Sequence, residues 1–307
     1  MKILITGGAG FIASHITDRY INLGHEVVII DNMSSGKNEN INPKAKIYKI
    51  DIKDEQIADI LLEEKPDILN HHAAQMDVRV SVNDPKFDAS ENIIGSLNLY
   101  EASVKANVKK IIFASSGGTV YGEQFEFPAN EEHPLNPCSP YGISKMVNEK
   151  YLFYYKAVYG IDYVALRYGN VYGPRQNPHG EAGVVAIFAE RLLAGKEAII
   201  NGDGLITRDY IYVNDVVKAN EIALNENVSG IFNVTTGVET NVNDIFRALK
   251  SLTFSGQEET HGPAKAGEQR RSVCSPKKLS KFGWEPKMKF DDGVKLTIDY
   301  FKSKLNN

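Results

Sequence analysis

The stretch TGGAGFIA, Thr6 to Ala13, decides how this chain is read. It follows the β-branched run KILIT and leads into an amphipathic stretch from Phe11 to Leu23, so it stands where a strand turns into a helix. Gly8, Gly10 and Ala13 match G-x-G-x-x-G/A, and Gly7 adds the variant spacing G-x-x-G-x-x-A. Glycines at such a turn permit positive φ and bring the backbone close to a pyrophosphate, whose charge is favoured by unpaired N–H groups at the helix end. Asp31 closes the next apolar run, HEVVIID, near the separation of about 20 residues expected of a carboxylate that accepts from ribose hydroxyls. Such a carboxylate repels a 2′-phosphate, so the pattern predicts a site that favours NAD over NADP. Lys37, a few residues on, either softens that exclusion or is a solvated loop lysine.

Working outward, the same alternation continues. KIYKI precedes Asp54 to Glu64, DILNH precedes a long stretch from Asp88 to Asn107, and KKIIFAS and DYVALRY flank the segment bearing Tyr141. Strands separated by helices in this way predict a doubly wound α/β domain of the Rossmann type, a parallel sheet with helices on both faces. Residues 1–170 are expected to form it, with parts of 205–240 completing the sheet. After Arg167 the pattern loosens into loops punctuated by Pro and Gly, then a helix over Val184 to Leu193 and short strands around Ile199 and Ile211. Residues 171–307 therefore read as a smaller, interleaved substrate lobe, and the charged tail FKSKLNN is expected to fray in solvent.

The bulk numbers bound the function. A chain of 307 residues, 42% hydrophobic and 24% charged, suits a globular protein able to bury a full core. A net charge of -4 gives no broad basic surface, which argues against nucleic acid as the main partner. Cys138 and Cys274 are far apart and lack His neighbours at ligand spacing, so no disulfide framework or zinc site is indicated and a reducing cytoplasm fits. The pair His71–His72 reads as a strand end beside the cofactor, and no metal is expected. The first residues offer an apolar stretch that a secretory signal would also show, but three glycines interrupt it and TDR follows. No apolar run approaches the roughly 20 residues of a membrane span.

In SPYGISK, Ser139 to Lys145, a tyrosine and a lysine stand four residues apart, one turn along a helix face. Alone, that spacing is also one turn of an ordinary helix. With TGGAGFIA, DN at 31 and 32, DI at 51 and 52, HAAQ at 72 to 75, Asn92, SSGGTVYGE at 115 to 123, LRYGNVYGPRQ at 166 to 176 and GDGLITRDYIYVNDV at 202 to 216, the chain resembles the extended short-chain dehydrogenase/reductases. Among them it is similar to the NAD-dependent sugar-nucleotide epimerases of the UDP-glucose 4-epimerase type, over nearly its full length.

The resemblance implies a UDP-hexose whose C4 is inverted through a 4-keto intermediate, with NAD regenerated and no net redox change. Tyr141 would be the base and Lys145 its electrostatic partner. A phenol of pKa near 10 is only about one part in a thousand ionised at neutral pH, and a cation about 4 Å away lowers that value by up to roughly three units before desolvation opposes it. The family's usual Ser or Thr is missing at Gly117; Ser116 is expected to replace it, or else to satisfy backbone at a strand end. Relatives that dehydrate the sugar carry an Asp-Glu pair in this loop, and decarboxylating relatives a Glu. Gly117, Gly118 and Thr119 favour epimerisation.

By the same resemblance the cofactor is expected to meet Gly7, Gly10, Phe11 and Ile12 of the turn, Asp31, Asn32, Ser34, Ser35 and Gly36 after the second strand, and Asp51 and Ile52 after the third. His72, Ala73, Ala74, Gln75, Asn92, Ser115, Tyr141, Lys145 and Tyr168 complete that set. The UDP-sugar is expected at Asn170, Val184, Val185, Asn201, Arg208, Lys265, Glu268 and Ser272. Arg208 suits a diphosphate through its paired donors. Lys265 and Glu268 are otherwise two solvated charges, Asn201 replaces an aromatic that stacks on the base, and the small Ser272 leaves room for an N-acetyl group at C2. Asp88 to Asn107 and Tyr141 to Tyr159 are the helices that pair subunits in relatives, so a homodimer is expected. A uronate-type nucleotide-sugar epimerase, a net NAD-dependent dehydrogenase/reductase and a non-catalytic NAD-sensing regulator remain open.

Overall fold

Consecutive apolar residues of β1 (Lys2–Thr6) face opposite ways, Ile3 and Ile5 into one core and Leu4 into another. A strand buried on both faces requires a helix layer on each, and the chain supplies them in turn. The computed structural model describes residues 1–179, 183–264 and 269–305. After β1 come α1 (Phe11–Asn22), β2 (Glu26–Ile30), β3 (Lys46–Tyr48), α2 (Ile57–Glu64), β4 (Ile68–His71), α3 (Val78–Asn83) and α4 (Pro85–Ala89). A π-turn at Ser90–Ile94 leads into α5 (Gly95–Lys105), then β5 (Lys110–Ser116), α6 (Pro140–Tyr159) and β6 (Asp162–Tyr168). The remainder is β7 (Asn170–Tyr172), α7 (Val184–Leu193), β8 (Ile199–Asn201), β9 (Thr207–Arg208), β10 (Tyr210–Tyr212), α8 (Val213–Ala223) and β11 (Gly230–Val234). It ends with β12 (Thr240–Asn241), α9 (Val242–Thr253), β13 (Thr260–Gly262), β14 (Arg271–Ser272), α10 (Lys277–Ser280) and α11 (Phe290–Leu305).

Seven strands form one parallel sheet in the order β11-β6-β5-β4-β1-β2-β3, the doubly wound α/β arrangement predicted. On one face α1 and α8 pack through Ile16, Tyr20, Val216 and Ile222; on the other, α2, α5 and α6 pack through Leu61, Leu99, Tyr100 and Leu152. The chain runs outward from β1 to β3 and returns to β4 on the other side of β1, with Ile3 opposite Ile68. That reversal opens a crevice at the carboxyl ends of β1 and β4, where such sheets take ligands. Strand β11 joins the edge beside β6, Ile231 opposite Ala165.

A third core gathers α7, α9 and α11 around Tyr172, Phe188, Phe246, Val294 and Ile298. It overturns one expectation about the tail. Phe301 packs against this core, Lys302 Nζ donates to Leu252 O at 3.3 Å, and Lys304 Nζ pairs with Glu39 at 3.0 Å. The segment to Leu305 therefore continues α11 instead of fraying, because its apolar residues fall at helical spacing with Val294 and Ile298.

Candidate functional site

The glycine turn owes its shape to crowding. Gly7 has φ +71° and donates to Ile30 O at 2.8 Å; a Cβ there would lie 2.9 Å from Ala73 N. Gly10 caps α1 without a side-chain acceptor, leaving that helix end for an anion. Across the crevice, Thr6 Oγ1 accepts from Ala73 N at 3.0 Å and so ties the segment after β4 to the end of β1. Asp31, buried, receives Ala9 N on one oxygen at 2.9 Å and Met33 N on the other at 2.8 Å, each oxygen keeping a lone pair.

A cleft of about 620 Å³ runs from this turn across the strand ends. Gly7, Gly10, Phe11, Ile12, Asp31, Asn32, Ser34, Ser35, Asp51 and Ile52 line one end of the predicted set; His72, Ala73, Ala74, Gln75, Ser115, Ser116, Tyr141, Lys145 and Tyr168 also line it. Two members of the set stand behind the wall. A Cβ on Gly36 would lie 2.9 Å from Asp31 Oδ1, so that glycine admits the carboxylate. Asn92 is buried and clamps the Gln75 backbone, accepting from its N at 2.9 Å and donating to its O at 2.8 Å. Met76, Asp77, Phe87 and Glu91 also line the cleft and were not foreseen. Phe87 and Glu91, one turn apart, offered a helical spacing as the signal.

Tyr141 and Lys145 come from the first turns of α6, which opens with Ser139 capping Gly142 N at 3.1 Å and Pro140 in its first turn. Lys145 is buried, donates to Ala114 O at 2.8 Å, and lies 5.6 Å from the Tyr141 ring centroid and 4.8 Å from that of Phe113. Burial pushes its ammonium down to about 8, with the charge of Asp88 opposing the fall. Burial, reinforced by Lys145, drives His72 down to about 3, so it is a neutral imidazole at 3.0 Å from the Tyr168 hydroxyl.

The loop after β5 explains the missing hydroxyl. A Cβ at Gly117 would sit 3.3 Å from the carbonyl oxygens of Arg167 and Tyr168 and 3.4 Å from Cys274 Sγ, against β6 and not in the cleft. Ser116 stands in the cleft wall, while Ser115 Oγ donates to Glu149 at 2.6 Å.

The predicted sugar-nucleotide residues are more scattered. Asn170 lies between Gly169 and Val171, which line the cleft, and its Oδ1 is 3.6 Å from where a Gly118 Cβ would be. Arg208 and the buried Ser272 are register partners on β9 and β14, and Arg208 Nη1 donates to Thr207 O at 2.8 Å. Asn201 ends β8 opposite Gly262. Val185 is 1% exposed within the third core, and the partly buried Val184, at the start of α7, packs against the same core. Apart from Val184 and Val185, none of the described members of this set sits in that core, and none lines the cleft itself. Lys265 and Glu268 lie outside the described residues. Among the described residues no group of three or more His, Cys, Asp or Glu is arranged to hold a metal.

Comparison with known proteins gives a consistent result. Residues 3–235 match the NAD dependent epimerase/dehydratase family. The UDP-glucose 4-epimerase of Mycolicibacterium smegmatis is 42% identical over 311 residues, 99% of each chain. The structure of the Thermotoga maritima UDP-glucose 4-epimerase with UDP-glucose superposes with a TM-score of 0.97 at 48% identity, over 99% of this chain and 100% of that one. The Thermus thermophilus UDP-glucose 4-epimerase in complex with NAD gives 0.94 at 44% identity, over 98% and 99%.

Proposed function

This chain belongs to the NAD dependent epimerase/dehydratase family, and from that premise we propose that it interconverts UDP-glucose and UDP-galactose by inverting C4. One observation carries the reading: Tyr141 and the buried Lys145 share a single cleft with the glycine turn and Asp31.

The residues fit NAD. Gly7 lines the cleft where the Ala73 backbone leaves no room for a side chain, the end of α1 has no capping side chain, and Asp31 keeps lone pairs for ribose hydroxyls. When bound, NAD supplies the acceptor and donor of the hydride at C4. Tyr141 takes the C4 hydroxyl proton and returns one after the ring has turned, and Lys145 holds the phenolate by its charge. At neutral pH an ammonium with its value near 8 is still mostly protonated, so the lysine can play that part. The neutral His72 adds no competing charge. Ser116 is assigned the hydrogen bond to the reacting oxygen, supported by its place in the wall and by the crowding at Gly117.

Residues 1–170 are assigned the cofactor and 171–307 mainly the UDP-sugar, with Arg208 and Asn170 on the diphosphate and Ser272 facing C2, where its size admits the N-acetyl forms. Two chains are proposed to pair through the π-turn, α5 and α6, which expose Ile94 at 58%, Phe153 at 64% and Val158 at 58%. The free thiols of Cys138 and Cys274 support a reducing compartment, the cytoplasm. Among the described residues no helix is long and apolar enough to cross a membrane.

The test is UDP-glucose followed by NMR with the purified protein, NAD present. Inversion at C4 supports the reading. Stoichiometric NADH accumulation instead would make it a net dehydrogenase, and NAD binding with no turnover a regulator.

A further inference from the structure

Two carboxylates are buried along the helix that carries Lys145, and they are satisfied differently. Glu149, one turn beyond the lysine, has a fully buried side chain and is neutralised by Arg167, whose Nε and Nη2 reach its two oxygens at 2.9 and 2.7 Å. Asp88 of α4 is 0% exposed and has only neutral donors: Ser144 Oγ at 2.7 Å on one oxygen, Gln75 Nε2 at 3.0 Å and Asn92 Nδ2 at 2.9 Å on the other. Among the described residues no Lys, Arg or His forms a salt bridge with it.

A buried carboxylate without a counter-ion is costly, and hydrogen bonds from neutral groups disperse its charge without cancelling it. Its field therefore falls on whatever cation is near. Ser144, which donates to it, immediately precedes Lys145, and Gln75, which also donates to it, lines the cleft that Lys145 lines. We propose that Asp88 is a positioning residue for the reaction, the fixed negative charge that keeps Lys145 protonated and its helix in register with the cleft wall.

The other ionisable groups around the lysine do not fill that role. Tyr141 is the group the lysine must serve, and Glu149 is spent on Arg167. His71, at the end of β4, and His72, which follows it, are held neutral by burial and by Lys145 itself. At the surface Arg79 of α3 is paired to Asp77, and Glu91 of the π-turn to Lys53. Among the described residues Asp88 is the carboxylate whose charge raises the lysine's affinity for its proton, against burial.

This inference deepens the proposed function and rests on it for the role of Lys145, so its test reads the lysine directly. In NAD-loaded protein labelled with ¹³C-lysine, the Cε signal of Lys145, assigned by its loss in Lys145→Arg, is titrated with pH. Asp88→Asn is expected to lower the midpoint by about one pH unit and to carry the alkaline fall in rate down with it. An unchanged midpoint overturns the proposal even if the rate drops. Asp88→Glu keeps the charge and is expected to keep the midpoint while repacking slows turnover; a midpoint lowered as in Asp88→Asn overturns it equally. Should Asp88→Asn fail to fold, Asp88→Ser is titrated in its place with the same expected fall, and an unchanged midpoint overturns the proposal. A wild type without epimerase activity whose lysine still shifts on Asp88→Asn would discard the functional reading, and with it the positioning role, and leave only the electrostatic link between Asp88 and Lys145.

Discussion

A phenol on a helix becomes a base only through what stands one turn away. Tyr141→Phe is expected to lower the epimerisation rate by about 10²–10⁴-fold while NAD binding, followed by calorimetry, stays near wild type, since the ring remains and only the proton acceptor is lost. Lys145 sets the pH range. Its value lies near 8, below the ordinary 10.5, so the charged form that supports the phenolate is lost as pH rises through about 8. The rate should accordingly fall on the alkaline side from there, and a profile flat to pH 10 would remove Lys145 from the mechanism. At the turn, Gly7→Ala places a methyl 2.9 Å from Ala73 N at φ +71°. Strain of about 1–3 kcal/mol and a weakened NAD affinity are expected, read by thermal unfolding and by titration. The glycines and Asp31 were legible from their spacing, and the Tyr141–Lys145 pair only once the other motifs of the chain stood beside it. Asp88 was not: in PKFDAS a carboxylate that ends fully buried looks like any acid on a helix surface, and only the packing of α4 against α6 distinguishes it.

Single elements show why the site holds its shape. Helix α6 docks on β5 and β6 by two polar ties, Lys145 to Ala114 O and Glu149 to both Ser115 and Arg167, so the helix cannot slide without breaking a buried ion pair. Replacing one partner leaves the other charge buried and unpaired. Glu149→Gln should cost about 3–5 kcal/mol of stability in a denaturant series, more than Tyr141→Phe, whose side chain is only half-buried. A loss below 1 kcal/mol would mean that Arg167 finds water or another acceptor. The long elements were legible because five to twenty residues carry a period; α7 was placed at Val184 to Leu193 from its pattern alone. Strands β9, β12 and β14 are two residues each, too short for any alternation to register, and exist only because Arg208 finds Thr240 on one side and Ser272 on the other. The frayed-tail expectation failed for a related reason: lysines at 302 and 304 read as solvated, yet their ammonium groups reach Leu252 O and Glu39.

At the level of the whole molecule, the proposed pairing of two chains makes a prediction about the faces this chain leaves uncovered. Helix α6 buries Leu152 and Tyr155 in the sheet-side core while exposing Ile143 at 44%, Tyr154 at 43% and Val158 at 58%. With about 100° per residue, those three fall within roughly 60° of one another, a stripe pointing away from the core. Ile94 and Phe87, at 58% and 45%, add apolar area from the neighbouring π-turn and α4. Apolar area of this kind is expected to be covered in solution, and paired helices bury it at about 25 cal/mol per Å². The double variant Tyr154→Glu, Val158→Glu places two charges on the stripe without touching any residue that lines the cleft. Light scattering after gel filtration should give twice the 34.1 kDa chain mass for the wild type and the single chain mass for the variant, with NAD affinity retained. A wild type that elutes at one chain mass across micromolar concentrations would show that the stripe faces water, and the pairing would have to be abandoned while the active-site reading stood.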